Sequence, residues 1–124
     1  MNLFERKSFT SHSGLELLWK IECDALTEES IETFAAIINR NFVPFCRVVG
    51  VPHGRTRIAT ALEKYKAEAD PTLIVDDVLT TGRSMEDCKR RIGPYHTVLG
   101  VVLFARDTPP YWVTPIFQLT EGIK

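Results

Sequence analysis

The stretch Leu73–Met85, LIVDDVLTTGRSM, indicates how the chain folds. Three apolar residues, two of them β-branched, predict a short buried strand that leads directly into the adjacent carboxylates of Asp76 and Asp77. The segment Thr80–Ser84 then has the composition of a turn, and its last residue, with Asp87 three positions later, is typical of a capping box at the start of a helix. We therefore predict a strand that ends just before two exposed carboxylates, a turn, and a helix.

Strand and helix patterns alternate on both sides of this stretch. Apolar runs at Phe45–Val51 and Thr97–Phe104 predict two further buried strands, and one more strand is expected near the carboxyl end. Apolar residues at helical spacing predict three helices, the first of them opened by Thr27; their stripes are Ile31, Phe34, Ala35 and Ile38, then Ile58, Ala61, Leu62, Tyr65 and Ala69, then Met85, Cys88 and Ile92. The predicted fold is α/β, a three-layer Rossmann-like parallel sheet with right-handed crossovers and helices on both faces. A functional site in such a sheet belongs at the carboxyl ends of the strands.

Length and composition limit the possible functions. At 124 residues the chain is expected to form one domain, 1–124. A net charge of −1 provides no field for nucleic acid or for an anionic membrane, so neither is an expected partner. No apolar run approaches the ~18 residues of a membrane span and the amino terminus lacks the apolar core of a signal peptide, so we expect a cytoplasmic protein. Three widely spaced cysteines argue against both disulfides and a zinc site.

The acid pair, Asp76 and Asp77, and the turn that follows suit different parts of one ligand. The start of a helix offers free N–H groups and a partial positive charge to a phosphate. Two carboxylates suit vicinal hydroxyls, or a magnesium ion held through water. A sugar phosphate satisfies both halves, whereas the alternative, a strand and a capped helix with no ligand, leaves two adjacent acids unexplained.

An apolar run, an acidic pair, an apolar pair and then Thr-Thr-Gly-x-Ser resembles the signature of the type I phosphoribosyltransferases, which bind 5-phosphoribosyl-1-pyrophosphate. The resemblance implies that Asp76 and Asp77 contact the ribose hydroxyls, and Mg²⁺ through water, and act as the catalytic residues. It implies that the turn cradles the 5-phosphate; the turn residues are Thr80, Thr81, Gly82, Arg83 and Ser84.

The segment Val48–Leu62, VVGVPHGRTRIATAL, is similar to the pyrophosphate loop of that family. The resemblance assigns the pyrophosphate to Pro52, His53, Gly54 and Arg55. Glycine lets the backbone approach the ligand closely, and the arginine supplies a cation that a histidine, largely neutral near pH 7, does not. A plain turn between strand and helix is the alternative for this segment.

In layout the chain is similar to the orotate branch of the family. Residues 1–26 resemble the amino-terminal hood, with Ser13 and Gly14 as its Ser-Gly pair, and residues 27–124 resemble the core. The resemblance places Arg106 at the base, with a surface arginine as the alternative. Trp112 resembles an aromatic residue that stacks on the base in the purine branch, Tyr111 is a second candidate, and packing of the last strand is the alternative for the tryptophan.

Two departures from the family pattern bear on function. Orotate enzymes carry a lysine just before the Ser-Gly pair, where this chain has His12, so the base is left open. The family also inserts strands with a long catalytic loop before the acid pair, whereas only KYKAEADPT, residues 64–72, intervenes here. Lys64 and Lys66 are interpreted as a solvated helix end rather than a displaced catalytic pair.

The resemblance implies a phosphoribosyltransferase that transfers the phosphoribosyl group of phosphoribosyl pyrophosphate to a nucleobase and releases pyrophosphate. It also implies Mg²⁺ as cofactor and a homodimer as the assembly. Without the catalytic loop, the activity is expected to be weak. The alternative is a non-catalytic, regulatory protein that binds phosphoribosyl pyrophosphate or a nucleotide. A structural domain with a degenerate site is disfavoured because the acid pair and the turn are intact.

Overall fold

The computed structural model describes residues 3–5, 9–10, 16–17, 20–42, 44–51, 56–68 and 70–119. Its first part forms two short antiparallel pairs, in which β1 (Phe4–Glu5) lies beside β4 (Lys20–Ile21) and β2 (Phe9–Thr10) lies beside β3 (Glu16–Leu17). The elements that follow are α1 (Glu28–Asn41), β5 (Arg47–Gly50), α2 (Arg57–Leu62), β6 (Thr72–Leu79), α3 (Arg83–Ile92), β7 (Val98–Ala105) and β8 (Val113–Gln118). Among the described residues, no helix combines the length and the apolar character needed to cross a bilayer.

Strands β5, β6, β7 and β8 form one sheet in that order, and its strands are parallel, as the sequence predicts. The central strands are apolar on both sides because helices cover both faces of the sheet. The close approach of these layers explains one glycine, since a Cβ on Gly100 would lie 2.8 Å from the Trp112 ring and 2.9 Å from the Met85 methyl group.

Neighbouring residues of β6 point into different cores. Leu73 and Val75 pack with α1 and α2, in what we call the α1–α2 core, which contains Ile31, Ala35, Ile38, Ile58 and Leu62. Ile74 packs on the opposite face with α3, in what we call the α3 core, which contains Met85, Cys88, Val102, Trp112 and Val113. The predicted three-layer arrangement is therefore confirmed.

The connections between strands do not all have the same hand. The connection from β5 to β6 through α2 and the connection from β6 to β7 through α3 advance in the same direction across the sheet. They run over opposite faces, so their hands are opposite. The connection 106–112, which leads to β8, lies on the face of α3, because Trp112 packs in the α3 core. The two connections on the face of α3 therefore share one hand, and right-handed crossovers are strongly preferred. This assigns the right hand to those two and the left hand to the connection through α2, where the predicted right hand is wrong.

Helix boundaries agree with the predictions for α1 and differ for α2. Thr27 caps α1, because its side-chain oxygen accepts a hydrogen bond of 3.0 Å from the backbone N–H of Ser30. The second helix was predicted to extend past Tyr65 but ends at Leu62, and a 3₁₀ turn follows at Glu63–Tyr65. The backbone N–H of Ala67 donates to the carbonyl of Phe45 at 2.8 Å, which takes the chain out of the helical path.

Candidate functional site

The acid pair lies inside a strand rather than after its end. Strand β6 continues to Leu79, so the predictions that the strand ends at Val75 and that both carboxylates are exposed are wrong. The extension occurs because β7 is long enough to pair with it, with Val78 opposite Phe104 and Leu79 opposite Ala105. Both carboxylates are consequently partly buried.

Regular pairing of β6 is interrupted at the acid pair. Asp76 pairs with Val102 and Val78 pairs with Phe104, whereas Asp77 between them takes no part in the pairing with β7. The Asp76 carboxylate accepts a hydrogen bond of 2.7 Å from the backbone N–H of Asp77. Residues four positions apart in a regular strand point to the same face of the sheet. Val75 nevertheless packs in the α1–α2 core and Leu79 packs in the α3 core, so the alternation of faces is broken between them. The Asp76 carboxylate thus occupies the backbone N–H of Asp77, and the strand departs from its regular geometry at this position.

Burial makes the acid pair hard to ionise. Desolvation raises the pKa of Asp76 from 3.8 to about 7, with the neighbouring charge of Asp77 adding to the shift and backbone hydrogen bonds opposing it. Desolvation also raises the pKa of Asp77, and the Arg57 guanidinium opposes that rise while Asp24 adds to it. A bound cation or a set of hydroxyl donors would stabilise the charged forms.

We expect Asp76→Asn to remove a pH-dependent loss of stability. In the unfolded chain Asp76 ionises near its ordinary pKa of 3.8, and in the folded chain near 7. Folding therefore favours the protonated form, and the free energy of unfolding falls as pH rises from about 4 to 7 and stays low above that. Between pH 5 and pH 8, ionisation of Asp76 is expected to lower the free energy of unfolding by about 3 kcal/mol.

Urea unfolding at pH 5 and pH 8, without divalent cations, measures this difference. The wild type is expected to lose more stability between the two pH values than Asp76→Asn does. The exposed Asp87→Asn variant is the control and should behave as the wild type does. Equal losses in wild type and Asp76→Asn would contradict a raised pKa at Asp76.

The turn Thr80–Ser84 leaves the start of α3 without a side-chain cap. Gly82 is the N-cap residue and has a φ of +83°, a left-handed conformation that glycine adopts readily. The predicted capping box is wrong, because Ser84 is already the second residue of the helix. The backbone N–H of Arg83 has only a long contact of 3.4 Å to the Thr81 hydroxyl. The N–H groups of this helix start are therefore available to an anion.

Arg106 lies at the same edge of the sheet as this turn. Its backbone N–H donates to the carbonyl of Leu79 at 2.8 Å, which holds the end of β7 beside the end of β6. Partial burial of its side chain lowers the pKa of the guanidinium. The structure thus places Arg106 at the carboxyl edge of the sheet, and its role at the base stays a prediction.

Trp112 lies in the α3 core and not at the site. Its side chain is 5% exposed, its Nε1–H donates to Glu86 at 2.9 Å, and the Lys89 ammonium lies 4.9 Å from its ring centroid. The packing alternative describes this residue, because no ring face is open to a base. Tyr111 is 95% exposed, with the Lys89 ammonium 5.4 Å from its ring centroid.

The predicted pyrophosphate residues Pro52, His53, Gly54 and Arg55 lie outside the described residues, as do His12, Ser13 and Gly14. Both ends of the pyrophosphate segment are placed. The backbone N–H of Val51 donates to the carbonyl of Val75 at 3.0 Å, next to the acid pair, and Thr56 caps α2 by accepting a hydrogen bond of 3.0 Å from the N–H of Ala59. Val51 and Thr56, which flank this segment, therefore lie at the carboxyl edge of the sheet.

Arg57 acts electrostatically on the acid pair, and sequence reasoning missed it as a candidate residue. It is the first residue of α2, and the positive charge of its guanidinium opposes the rise in the pKa of Asp77. One signal was present in the sequence: a cation in the first turn of a helix opposes the helix dipole, so such a residue often has a tertiary partner. Which partner it has could not be predicted, because the residues that it contacts are about 30 positions earlier in the chain.

Cys23 borders the acid pair from the segment before α1. Burial, together with the charges of Asp77 and Asp76, raises the pKa of its thiol to about 12. All three cysteines are free thiols. Cys23 and Asp24, in a 3₁₀ helix at Cys23–Ala25, thus lie within electrostatic range of the acid pair.

Comparisons with known proteins identify the fold. No protein-family model matches the sequence, and no curated protein sequence matches it. The structure of UMP synthase from Leishmania donovani matches with a TM-score of 0.70 and 21% identity over 94% of this chain, which spans 34% of that protein. The structure of orotate phosphoribosyltransferase from Aeropyrum pernix matches with a TM-score of 0.68 and 18% identity over 94% of this chain and 88% of that one. The predicted type I phosphoribosyltransferase fold, in a minimal version, is confirmed.

Proposed function

We propose that the chain binds 5-phosphoribosyl-1-pyrophosphate and transfers its phosphoribosyl group to a nucleobase, with release of pyrophosphate. The observation that carries the proposal is that two partly buried acids lie in the second half of strand β6, and that an uncapped helix start follows the end of the same strand within four residues. A ribose 5-phosphate carries hydroxyls and a phosphate at its two ends and so matches both. The shared fold with an orotate phosphoribosyltransferase supports the reaction class.

Asp76 and Asp77 would accept hydrogen bonds from the ribose 2- and 3-hydroxyls. Their oxygen donor set also fits Mg²⁺ held through water, since a magnesium ion keeps most of its hydration and takes one or two carboxylates. In the described part of the chain, no cluster of three His, Cys, Asp or Glu side chains offers direct coordination. When bound, Mg²⁺ would supply positive charge to the leaving pyrophosphate.

The turn Thr80–Ser84 would anchor the 5-phosphate through backbone N–H groups and hydroxyls. The remaining roles belong to Pro52–Arg55 at the pyrophosphate and to Arg106 at the base. Trp112 has no part in the proposal, because its ring is covered. In the transfer, the bond from ribose C1 to the pyrophosphate oxygen breaks and a bond from C1 to a ring nitrogen of the base forms. A nitrogen that reacts as an anion has no proton to lose, so an acidic base needs no general base.

Calorimetric titration with phosphoribosyl pyrophosphate, with and without Mg²⁺, tests the binding step. Saturable binding that tightens with Mg²⁺ is expected. Pyrophosphate release on addition of individual bases then tests the transfer and identifies the base. An absence of binding in both titrations would contradict the proposal. Sedimentation velocity of the same samples tests the proposed homodimer.

A second candidate function is a non-catalytic protein that binds the same ligand and regulates a partner. The short connection from α2 to β6 favours it: the described residues there are a 3₁₀ turn at Glu63–Tyr65 and a segment that pairs with Phe45. Lys64 and Lys66 in this connection are exposed and form ion pairs with Glu32 and Glu63, away from the acid pair. Binding without base-dependent release of pyrophosphate would select this candidate.

Arg83→Gln is expected to weaken ribose 5-phosphate and phosphoribosyl pyrophosphate to a similar degree. Arg83 is exposed at the first position of α3, where its guanidinium can add a charge-assisted contact to the 5-phosphate. One such contact corresponds to about a tenfold change in affinity. Calorimetry measures it, with Arg90→Gln as the control, because Arg90 is paired with Asp87 further along the same helix. Unchanged affinities would mean that backbone groups alone anchor the phosphate.

A further inference from the structure

Arg57 joins two parts of the chain that border the acid pair. Its Nη2 donates to the carbonyl of Leu26 at 2.7 Å and to Glu28 at 2.9 Å, its Nε donates to Glu28 at 3.3 Å, and its Nη1 donates to the carbonyl of Cys23 at 3.3 Å. These bonds use four of the five N–H groups of a guanidinium. All of the acceptors lie in one segment, Cys23–Glu28, which we call the clamped segment.

The clamped segment has little local structure of its own to hold it. It contains a single 3₁₀ turn, with the N–H of Ala25 bonded to Glu22 and the N–H of Leu26 bonded to Cys23, each at 3.0 Å, and it ends at the start of α1. None of the three residues in the turn is fully buried. Since isolated short turns are marginal, the bonds from Arg57 are the main polar restraint on the position of this segment.

The clamped segment packs beside the strand that carries the acid pair. Cys23 and Leu26 pack against the α1–α2 core, which includes Val75, the residue before Asp76. Burial and the charges of Asp77 and Asp76 raise the pKa of the Cys23 thiol. Burial and the charge of Asp24 raise the pKa of Asp77, and the charge of Arg57 lowers it. Arg57 also begins α2 directly after Thr56, where the segment assigned to the pyrophosphate ends. The Arg57 side chain therefore links the start of α2 to the clamped segment, and its charge acts on Asp77.

We propose that Arg57 is a positioning residue, which fixes the clamped segment over the acid pair and thereby shapes the ribose site without contacting the phosphate. The inference rests on the proposed function, because the ligand is the one proposed there. Lysine cannot replace the arginine, since a single ammonium group does not reach two carbonyls and a carboxylate in the fixed geometry of a guanidinium.

Ribose 5-phosphate and inorganic phosphate together test the inference. Ribose 5-phosphate probes the acid pair and the turn without the pyrophosphate segment, and inorganic phosphate probes the turn alone. In Arg57→Gln, the Kd for ribose 5-phosphate is expected to rise about tenfold, and the Kd for inorganic phosphate to stay within about twofold. Arg57→Lys is expected to show most of the same split, and Arg90→Gln none of it.

Hydrogen exchange of the Ala25 and Leu26 amides reports the clamped segment directly. Exchange there is expected to accelerate about tenfold in both Arg57 variants, with unchanged exchange in α3 relative to global unfolding. Faster exchange with wild-type affinity for ribose 5-phosphate would reduce Arg57 to a structural role and overturn the inference. Equal weakening of both ligands, or full affinity in Arg57→Lys, would also overturn it.

Failure of the wild type to bind ribose 5-phosphate and phosphoribosyl pyrophosphate would overturn the proposed function and this inference together. Wild-type binding that Arg57→Gln does not weaken would overturn the inference alone. If Arg57→Gln does not fold, Arg57→Lys and Glu28→Gln provide the same comparison, since each removes only part of the set of hydrogen bonds.

Discussion

Replacement of both Asp76 and Asp77 by asparagine is expected to abolish binding of phosphoribosyl pyrophosphate and to leave the fold intact. The double variant loses two charged acceptors for the ribose hydroxyls and the water-mediated site for Mg²⁺, and each charge-assisted hydrogen bond contributes about 1.5–3 kcal/mol. Loss of several such bonds takes the affinity out of the measurable range. Stability should not suffer, because ionised, partly buried carboxylates with raised pKa values oppose folding at neutral pH.

Calorimetry with Mg²⁺ measures the affinity, and urea unfolding at pH 8 measures the stability. Asp70→Asn combined with Asp87→Asn is the matched control, because it removes the same charge from two exposed positions. The asparagine side chain at position 76 keeps an oxygen that can accept the hydrogen bond from the backbone N–H at position 77, so the strand geometry is retained. Binding by the double variant at the affinity of the wild type would place the ligand elsewhere on the molecule.

Any transferase activity of the isolated chain is expected to be slow and open to hydrolysis. Closure of an active site excludes water from the oxocarbenium-like carbon and brings cations to the leaving pyrophosphate. The short connection between α2 and β6 carries no long loop that could do this. Each missing donor costs on the order of 10²-fold in rate, so the deficit reaches several orders of magnitude relative to a closed site.

The measurement is pyrophosphate release from phosphoribosyl pyrophosphate and Mg²⁺, with a panel of bases and with none, over a range of protein concentrations. Slow release that does not require a base fits an open site. A rate per chain that increases with concentration would show that a second subunit completes the site. Fast, base-specific release that is independent of concentration would refute the prediction, because a single chain would then close its own site and supply every catalytic group.

Apolar runs carried most of the information about the fold. Strands such as Val98–Ala105 are buried on both faces, which yields continuous apolar sequence, and this pattern allowed the parallel sheet to be predicted. The end of β6 could not be predicted, because it depends on pairing with β7 rather than on local sequence. The same dependence on distant contacts shortened α2, whose stripe continued past Leu62 in the sequence.

The candidate site was predictable where its chemistry is local. Asp76, Asp77 and the turn Thr80–Ser84 are consecutive, so their pattern can be recognised in the sequence. The burial of the acids, the contacts of Arg57 and the packing of Trp112 against Glu86 depend on residues that are far away in the chain. Such contacts leave no pattern in a single sequence.

The left-handed connection through α2 also indicates where the chain can change in length. A right-handed crossover over the face of α1 and α2 would lead to a strand outside β5, at the free edge of the sheet, rather than to β6. Residues Lys66–Glu68 are exposed and stand at the point where such a detour would begin. An insertion there could add a strand at that edge while the four existing strands and the acid pair keep their places. In evolutionary terms, this connection is where the fold can gain or lose a whole strand with the least disturbance.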